Sequence, residues 1–442
     1  MVDKERDKIS PWTAAAVGLG AIIGAGIFVL SGTAIALAGS YALAAFALVG
    51  LLALIIALEL GELGSLMPNV KGASYSYTYM ALGSELGFIT GMLRYMALAT
   101  SIGAIALGFG SYLASFLSIP LGTYSIPFAM ALIFVLSLVN MLGVKKAASA
   151  DSILVVVKIG VLALFIGFAL YIALTNPSIG TSNMSFGVSG GTLGGIFAAS
   201  VAVFFAYSGF QSISTLTERI RGGARGYVTA ILGAVIVSIV LYILVVLAMI
   251  LLLPPSAYSI TADPLSYALK SVNAPSWLFT LVDIGALVAT TSATIAMILS
   301  ASRSLYQMST DRLLPRYFRK YNPHTDTAEN GIIVSAIIGV LILFAGNIYV
   351  IASISNFGLI FDYMLIGFDV VHFRRHGVKA PFRMPLYPYL PALSIIMLLV
   401  MFTGMPKEAL EIGVMLIILL LATYYSLREL NGKKVIRVRL FN

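Results

Sequence analysis

Apolar positions run unbroken for very long distances in this chain, and polar charge is confined to short clusters between them. Residues 9–58, 95–144 and 159–217 contain no Asp, Glu, Lys or Arg at all. A single membrane span needs ~20 apolar residues, so each run holds about two spans and a turn. The pattern predicts an all-α integral membrane protein with twelve helices, at approximately 12–37, 41–66, 86–117, 125–143, 150–174, 193–218, 228–253, 277–306, 331–346, 349–371, 387–403 and 408–427. The first of these is too long for a cleaved leader and no polar region follows it.

Two of the predicted spans are interrupted by glycine. In "GAIIGAGIF" (20–28) Gly20, Gly24 and Gly26 fall inside span 1, although each glycine in a helix costs roughly 1 kcal/mol relative to alanine. In "FFAYSGFQS" (204–212) Ser208-Gly209 interrupts the aromatic span 6. Gly20 and Gly24 also form a G-x-x-x-G pattern, which lets helices approach closely. Packing and unwinding are compatible readings. The interruptions lie five spans apart, and an odd offset makes the second unit enter the membrane from the opposite face. Matching breaks in two halves point to an inverted-repeat transporter with its site where the breaks meet.

Unwound backbone at mid-membrane exposes N–H and C=O groups that lipid cannot satisfy, so it is tolerated only where it lines a cavity. N–H groups of Ala25 and Gly26 at the start of the outer half-helix suit a carboxylate. Carbonyls around Phe205, Ala206, Ser208 and Gly209 suit an ammonium. Together they describe a small-molecule α-amino acid. Phe205, Tyr207 and Phe210 flank the second break and are expected to line or lid the cavity.

Composition and charge narrow the alternatives. The chain is 60% hydrophobic and 10% charged, with a mean hydropathy of +0.99, too apolar for any solvent but lipid. The net charge of +9 does not indicate nucleic acid. All basic residues except Lys270, Lys407, Arg94 and Lys158 fall in the two tails and in alternate loops. By the positive-inside rule both termini are cytoplasmic, with the plasma membrane as the expected location. With no cysteine, thiolate metal sites and disulfides are excluded, and no metal or cofactor is expected. The histidines, His324, His372 and His376, lie in loops, and no nucleotide-binding phosphate loop occurs. An ATP-driven pump or intramembrane enzyme therefore lacks its residues.

Five segments together resemble the amino acid–polyamine–organocation (APC) transporters, near the cationic-amino-acid-transporter-like branch. They are "GAIIGAGIFVLSG" (20–32), "ELGSLMPNVKGASYSYTYMALGSELGFITG" (62–91), "FFAYSGFQSISTLTERI" (204–220), "SRSLYQMSTDRLLPRYFRKYNPHT" (302–325) and "PFRMPLYPYLPAL" (381–393). Their order and spacing cover roughly residues 10–430. "GARG" (223–226) departs from the family's Pro-containing linker, and Arg94 stands where an apolar or aromatic residue is usual.

The resemblance implies the LeuT-type fold, with ten core helices in two inverted five-helix repeats (11–174 and 193–371) and peripheral helices 11 and 12 (387–427). Tails at 1–10 and 428–442 flank them. It also implies alternating access, with Gly24, Ala25 and Gly26 on the substrate carboxylate, the span 6 carbonyls on its amine, and Thr290 of span 8 facing the substrate. In proton-coupled members a span 5 lysine takes the place of a sodium ion between span 1 carbonyls and span 8 hydroxyls. Lys158 matches it, with Gly20, Ile23, Thr291 and Ser292 as its surroundings, and protons are the implied partner. Lys158 lies roughly 12 Å into span 5, and snorkelling to the surface is its alternative role.

Asp362, also mid-span, is open to three readings: a second proton carrier, a counter-charge for a basic substrate, or a carboxylate satisfied by a neighbouring hydroxyl. Glu62, Arg94 and Glu218 sit near one membrane face, where ion pairs among them would make a gate, or where each simply anchors its helix. A neutral amino acid is favoured as substrate, and the chain is expected as a monomer or weak homo-oligomer. An uncoupled exchanger or uniporter and a non-transporting sensor share every motif.

Overall fold

A computed structural model describes residues 8–68, 74–143, 147–176, 183, 193–213 and 220–430. Glu218 and several of the basic residues noted above lie outside them. Among the described residues the chain is helical, with no sheet. Nine helical stretches are long and apolar enough to cross a membrane, and three shorter apolar helices at 11–22, 329–344 and 389–404 accompany them.

Predicted span 1 is two helices, α1 (Pro11–Ile22) and α2 (Ala25–Ala38). Ser10 starts α1 by accepting the Thr13 N–H at 3.1 Å, with Pro11 at the first helical position where its missing N–H costs nothing. After α2 the chain turns at Gly39, whose φ of +59° suits glycine, and continues as α3 (Ala42–Leu66). A short helix that hydropathy did not signal, α4 (Ser74–Leu82), precedes α5 (Ser84–Phe116). Helices α6 (Leu121–Leu142) and α7 (Ala147–Thr175) complete the first half.

Span 6, expected over 193–218 with a break at Ser208-Gly209, is described as far as residue 213. Its helix, α8, runs Leu193–Tyr207 and stops; Ser208 and Gly209 turn, with Gly209 at φ +122°, and 210–213 form a single tight turn. The interruption is therefore a true end of the α-helix. Next come α9 (Gly223–Leu252), the short α10 (Pro264–Ser271) and the long α11 (Ser276–Thr310). Helices α12 (Glu329–Leu341), α13 (Ile348–Arg375), α14 (Tyr389–Met401) and α15 (Lys407–Leu430) follow.

The broken helices occupy the centre. Helix α2 packs against α8, α1 against α9, and α3 against both α8 and α9, while α5 forms a second hub with α11, α13 and α6. The contact faces of α6, α7 and α15 are narrower, and large apolar side chains such as Phe134, Leu164 and Ile418 stand exposed on them. That distribution suits a lipid solvent, because apolar surface need not be hidden from hydrocarbon. At one end of the bundle, Arg221 N–H donates to the Ile9 carbonyl at 2.9 Å, tying the segment before α1 to the segment before α9. Basic loops cluster at this end, which we call the basic end.

Candidate functional site

The three glycines of span 1 do different jobs. A Cβ on Gly20 would lie 2.3 Å from Val155 Cγ2 of α7, and one on Gly26 would lie 2.3 Å from Ala206 Cα of α8. Both are contacts only glycine allows. Gly24 has ordinary clearance, 3.4 Å to Ala293 Cβ, and is the residue at which the helix breaks. Packing and unwinding thus both operate, at different positions.

The break in span 1 leaves a helix start buried in the core. Gly24 N–H turns back to the Ile22 carbonyl at 2.6 Å, and α2 begins at Ala25 without a side-chain cap. Ala25 and Gly26 are buried there, and first-turn N–H groups have no intrahelical partner. The positive end of the α2 dipole accordingly points into the protein.

The second break lies against the first. A Cβ on Gly209 would sit 2.6 Å from the Ala21 carbonyl oxygen, so the turn at Ser208-Gly209 rests on the end of α1. Tyr242 of α9 joins the two: its buried hydroxyl is 2.8 Å from the Ile22 carbonyl and 3.1 Å from the Ala206 carbonyl. Ser208 Oγ donates to the Phe205 carbonyl at 2.7 Å. Of the carbonyls expected to face an ammonium, Phe205 already takes both the hydroxyl and the N–H of Ser208, the latter at 3.3 Å, while Ala206 shares the single Tyr242 hydrogen with Ile22 and keeps acceptor capacity.

Tyr207 is turned away from the breaks. Its hydroxyl donates to the Phe46 carbonyl of α3 at 3.2 Å, and its ring packs 5.1 Å from that of Tyr242. Phe210 stacks on Tyr363 of α13 at 5.7 Å, and Phe204 meets the same ring edge-on at 5.8 Å. An aromatic wall thus stands directly beyond the second break.

Lys158 is inside. Its side chain is 1% exposed, and Nζ donates to the Gly20 carbonyl at 3.3 Å. An ammonium held on a span 1 carbonyl is not snorkelling. Helix α7 packs against both α1 and α11, bringing Lys158 to the region of span 8. On α11, Thr290 Oγ1 donates to its own helix at the Ala286 carbonyl (2.7 Å), and Ser292 Oγ does the same at Ala289 (3.0 Å). Thr291 is half-buried beside them.

Of the expected gate residues, Glu218 lies outside the described residues, and Glu62 and Arg94 pair with other partners. Glu62 is held by Arg374 of α13 in a two-pronged contact, Nε to Oε1 at 2.7 Å and a terminal nitrogen to Oε2 at 2.6 Å, with the Met384 N–H also on Oε2 at 2.8 Å. Arg94 pairs instead with Asp362 at 3.2 Å and donates to Ser74 Oγ, which in turn donates to Asp362 at 2.8 Å. Partner choice follows geometry: α13 packs against α3, α4 and α5, so its own charges meet both residues before those can meet one another. Asp362 Oδ2 takes a hydroxyl and a guanidinium, as the structural reading of it anticipated, while Oδ1 is buried without a partner among the described residues.

Sequence reasoning missed Tyr242 and the Ser74–Asp362–Arg94 triad. The available signal for Tyr242 was a lone hydroxyl in the apolar run "SIVLYILVVLAM".

Comparison with known proteins places this arrangement. The amino acid permease family model matches residues 9–424. The chain belongs to the amino acid permease family, within the APC superfamily. This permease is 29% identical over 402 residues to the methylthioribose transporter of Bacillus subtilis, covering 86% of this chain and 84% of the relative. It is also 29% identical over 403 residues to a branched-chain amino acid permease of that organism, with the same coverage. A cationic amino acid transporter of Arabidopsis thaliana is 28% identical over 389 residues, covering 81% of this chain and 64% of the relative. Among solved structures, a manganese transporter from Eremococcus coleocola superposes with a TM-score of 0.57 over 94% of this chain and 93% of that one, at 15% identity. That likeness is one of fold. The permease is a multi-pass membrane transporter of the LeuT type and not an enzyme. Among its described residues, no group of three or more His, Cys, Asp or Glu side chains is arranged to hold a metal ion.

Proposed function

We propose that this permease is a secondary active transporter that carries an amino acid by alternating access, coupled to protons through Lys158. The observation that carries the reading is the meeting of two helix breaks in the buried core, with a lysine ammonium on a carbonyl of the first broken helix. Buried donors at the start of α2 and carbonyls at the end of α8 offer a zwitterion both of its poles. Small-molecule binding replaces what hydrocarbon cannot supply.

The contact pattern supports two inverted five-helix repeats within twelve spans. Broken span 1 packs on span 7, and broken span 6 packs on span 2, the reciprocal contacts that exchange of repeats generates. The basic tails and loops support cytoplasmic termini in a plasma membrane.

A neutral side chain on the substrate suits the surroundings. The mid-depth acid Asp362 is occupied by Arg94, and the wall beyond the second break is Phe204, Phe210 and Tyr363. Lys158 supplies coupling without sodium: protonated, it bonds the Gly20 carbonyl through a charged donor and holds α1 to α7; neutral, it keeps only weaker N–H donors and holds α1 less firmly.

Reconstitution into proteoliposomes tests the reading. Lys158→Ala should retain substrate binding and lose accumulation driven by an imposed pH gradient. Accumulation in the variant with unchanged pH dependence would remove the proton role and leave an exchanger. Binding without uptake in the wild type would leave a sensor.

A further inference from the structure

Glu59 of α3 is fully buried, seven residues before the end of that helix at Leu66 and so about 10 Å inside the basic end. It plays no part in the site above. Its Oε1 lies 2.6 Å from Ser394 Oγ of α14, while Oε2 is buried with no hydrogen-bond partner among the described residues. Among the described residues no ion pair reaches it. The nearest guanidinium on α13, Arg374, is held by Glu62, one turn further along α3. Asp369 of α13 and Glu62 itself would repel a charge on Glu59, and the phenol of Tyr227 from α9 is committed to the Leu60 carbonyl at 3.4 Å.

Hydrogen counting and the absence of a facing cation among the described residues favour the protonated state. Ser394 has one hydroxyl hydrogen but two oxygens within reach, Glu59 Oε1 and the Pro391 carbonyl at 2.9 Å. A 2.6 Å separation fits either an acid or a carboxylate. As a carboxylate, Glu59 would hold one hydrogen bond, one bare oxygen and an uncompensated charge, which costs several kcal/mol in a dry interior. As an acid, Oε1–H donates to Ser394 Oγ and Ser394 donates to Pro391, satisfying both contacts as they stand. Asp362 and Glu62 contrast with it in that each faces a guanidinium, although Asp362 Oδ1, like Asp369 Oδ1, also lacks a partner among the described residues.

We propose that Glu59 is a second proton-binding site of this permease, separate from Lys158, holding a proton between spans 2 and 11. Ionisation breaks the Oε1–H bond and delivers the proton to water at the basic end. The resulting charge draws the Ser394 hydrogen from Pro391 and loosens α14 from α3. Protonation itself rests on the hydrogen-bond geometry, and its use in carriage rests on the function proposed above.

Infrared spectroscopy of the purified full-length protein reads the proton directly. Wild type should show a protonated-carboxyl carbonyl band with one component that disappears in Glu59→Gln, survives in Asp369→Asn, and shifts in Ser394→Ala, which loses the acceptor. Glutamine mimics the neutral acid, so Glu59→Gln should fold with wild-type melting temperature and lose the alkaline fall in uptake. A band unaltered by Glu59→Gln, or unmoved by Ser394→Ala, overturns the site. Identical pH–uptake profiles for wild type and Glu59→Gln overturn its role in carriage. The infrared readout needs no transport, so it stands apart from failure of the Lys158 experiment.

Discussion

A hydroxyl at position 242 and missing side chains at positions 24 and 26 do most to shape the site. Among the described residues, Tyr242 is the one side chain whose hydroxyl lies within hydrogen-bond distance of carbonyls from both breaks, sharing its hydrogen between them where an unpaired carbonyl cannot turn to water. Tyr242→Phe keeps the ring and removes the hydrogen. It should cost about 1–3 kcal/mol, the penalty for a buried polar group left unmade, seen as a lower melting temperature in detergent and weaker substrate binding. Gly26 is constrained by volume. Gly26→Val would drive side-chain atoms into Ala206, and overpacking of this kind costs about 1–3 kcal/mol or more. Because α2 and α8 are in backbone contact at this point, the variant should also abolish uptake. Uptake at the wild-type rate would show that the two half-helices part before substrate enters.

At the scale of elements, α13 organises the basic half of the molecule. It supplies Asp362 to Arg94 and Ser74, Asp369 to Thr78 Oγ1 at 2.7 Å, and Arg374 to Glu62. The Arg94 and Asp362 side chains are 12% and 0% exposed, so the pair is largely removed from water. Breaking one member of a buried pair strands the other, at about 3–5 kcal/mol. Arg94→Met should therefore destabilise strongly, and Arg94→Met combined with Asp362→Asn should recover most of the loss because no charge remains. Thermal melting of the single and double variants checks this. A double variant as unstable as Arg94→Met would mean that Arg94 acts through its aliphatic contacts. A comparable tie operates at the opposite end, where Lys270 of α10 donates to the Ser115 carbonyl and hydroxyl at 2.9 and 2.8 Å and lies 3.8 Å from Asp283. Each end of the bundle thus has a polar tie between helices.

For the whole molecule, the expected behaviour is a carrier stabilised by its cargo. A ligand that binds only the folded state adds about 2.7 kcal/mol at a hundredfold excess over its dissociation constant. Neutral aliphatic amino acids should raise the melting temperature in a concentration-dependent way, and lysine, arginine and polyamines should not, because Asp362 is already neutralised. A shift produced by basic amino acids alone would reverse the assignment and point to a carboxylate released from Arg94.

The sequence by itself determined the membrane setting, the positions of both breaks and the presence of a lysine at depth. Each of these is a local property. A charge-free run this long is buried in lipid, the glycine and serine breaks lie at fixed positions five spans apart, and Lys158 lies at depth whatever surrounds it. Only the tertiary structure decided which groups answer one another. It placed Tyr242 across two carbonyls from different helices, gave Arg94 to Asp362 and Glu62 to Arg374, turned Tyr207 away from the breaks, and left Glu59 with a serine instead of a cation. Those outcomes depend on which helix faces which, and hydropathy is blind to this because in lipid nearly every face of every span is apolar. Pairing among the few polar side chains is set by distances of a few ångström between segments far apart in the chain.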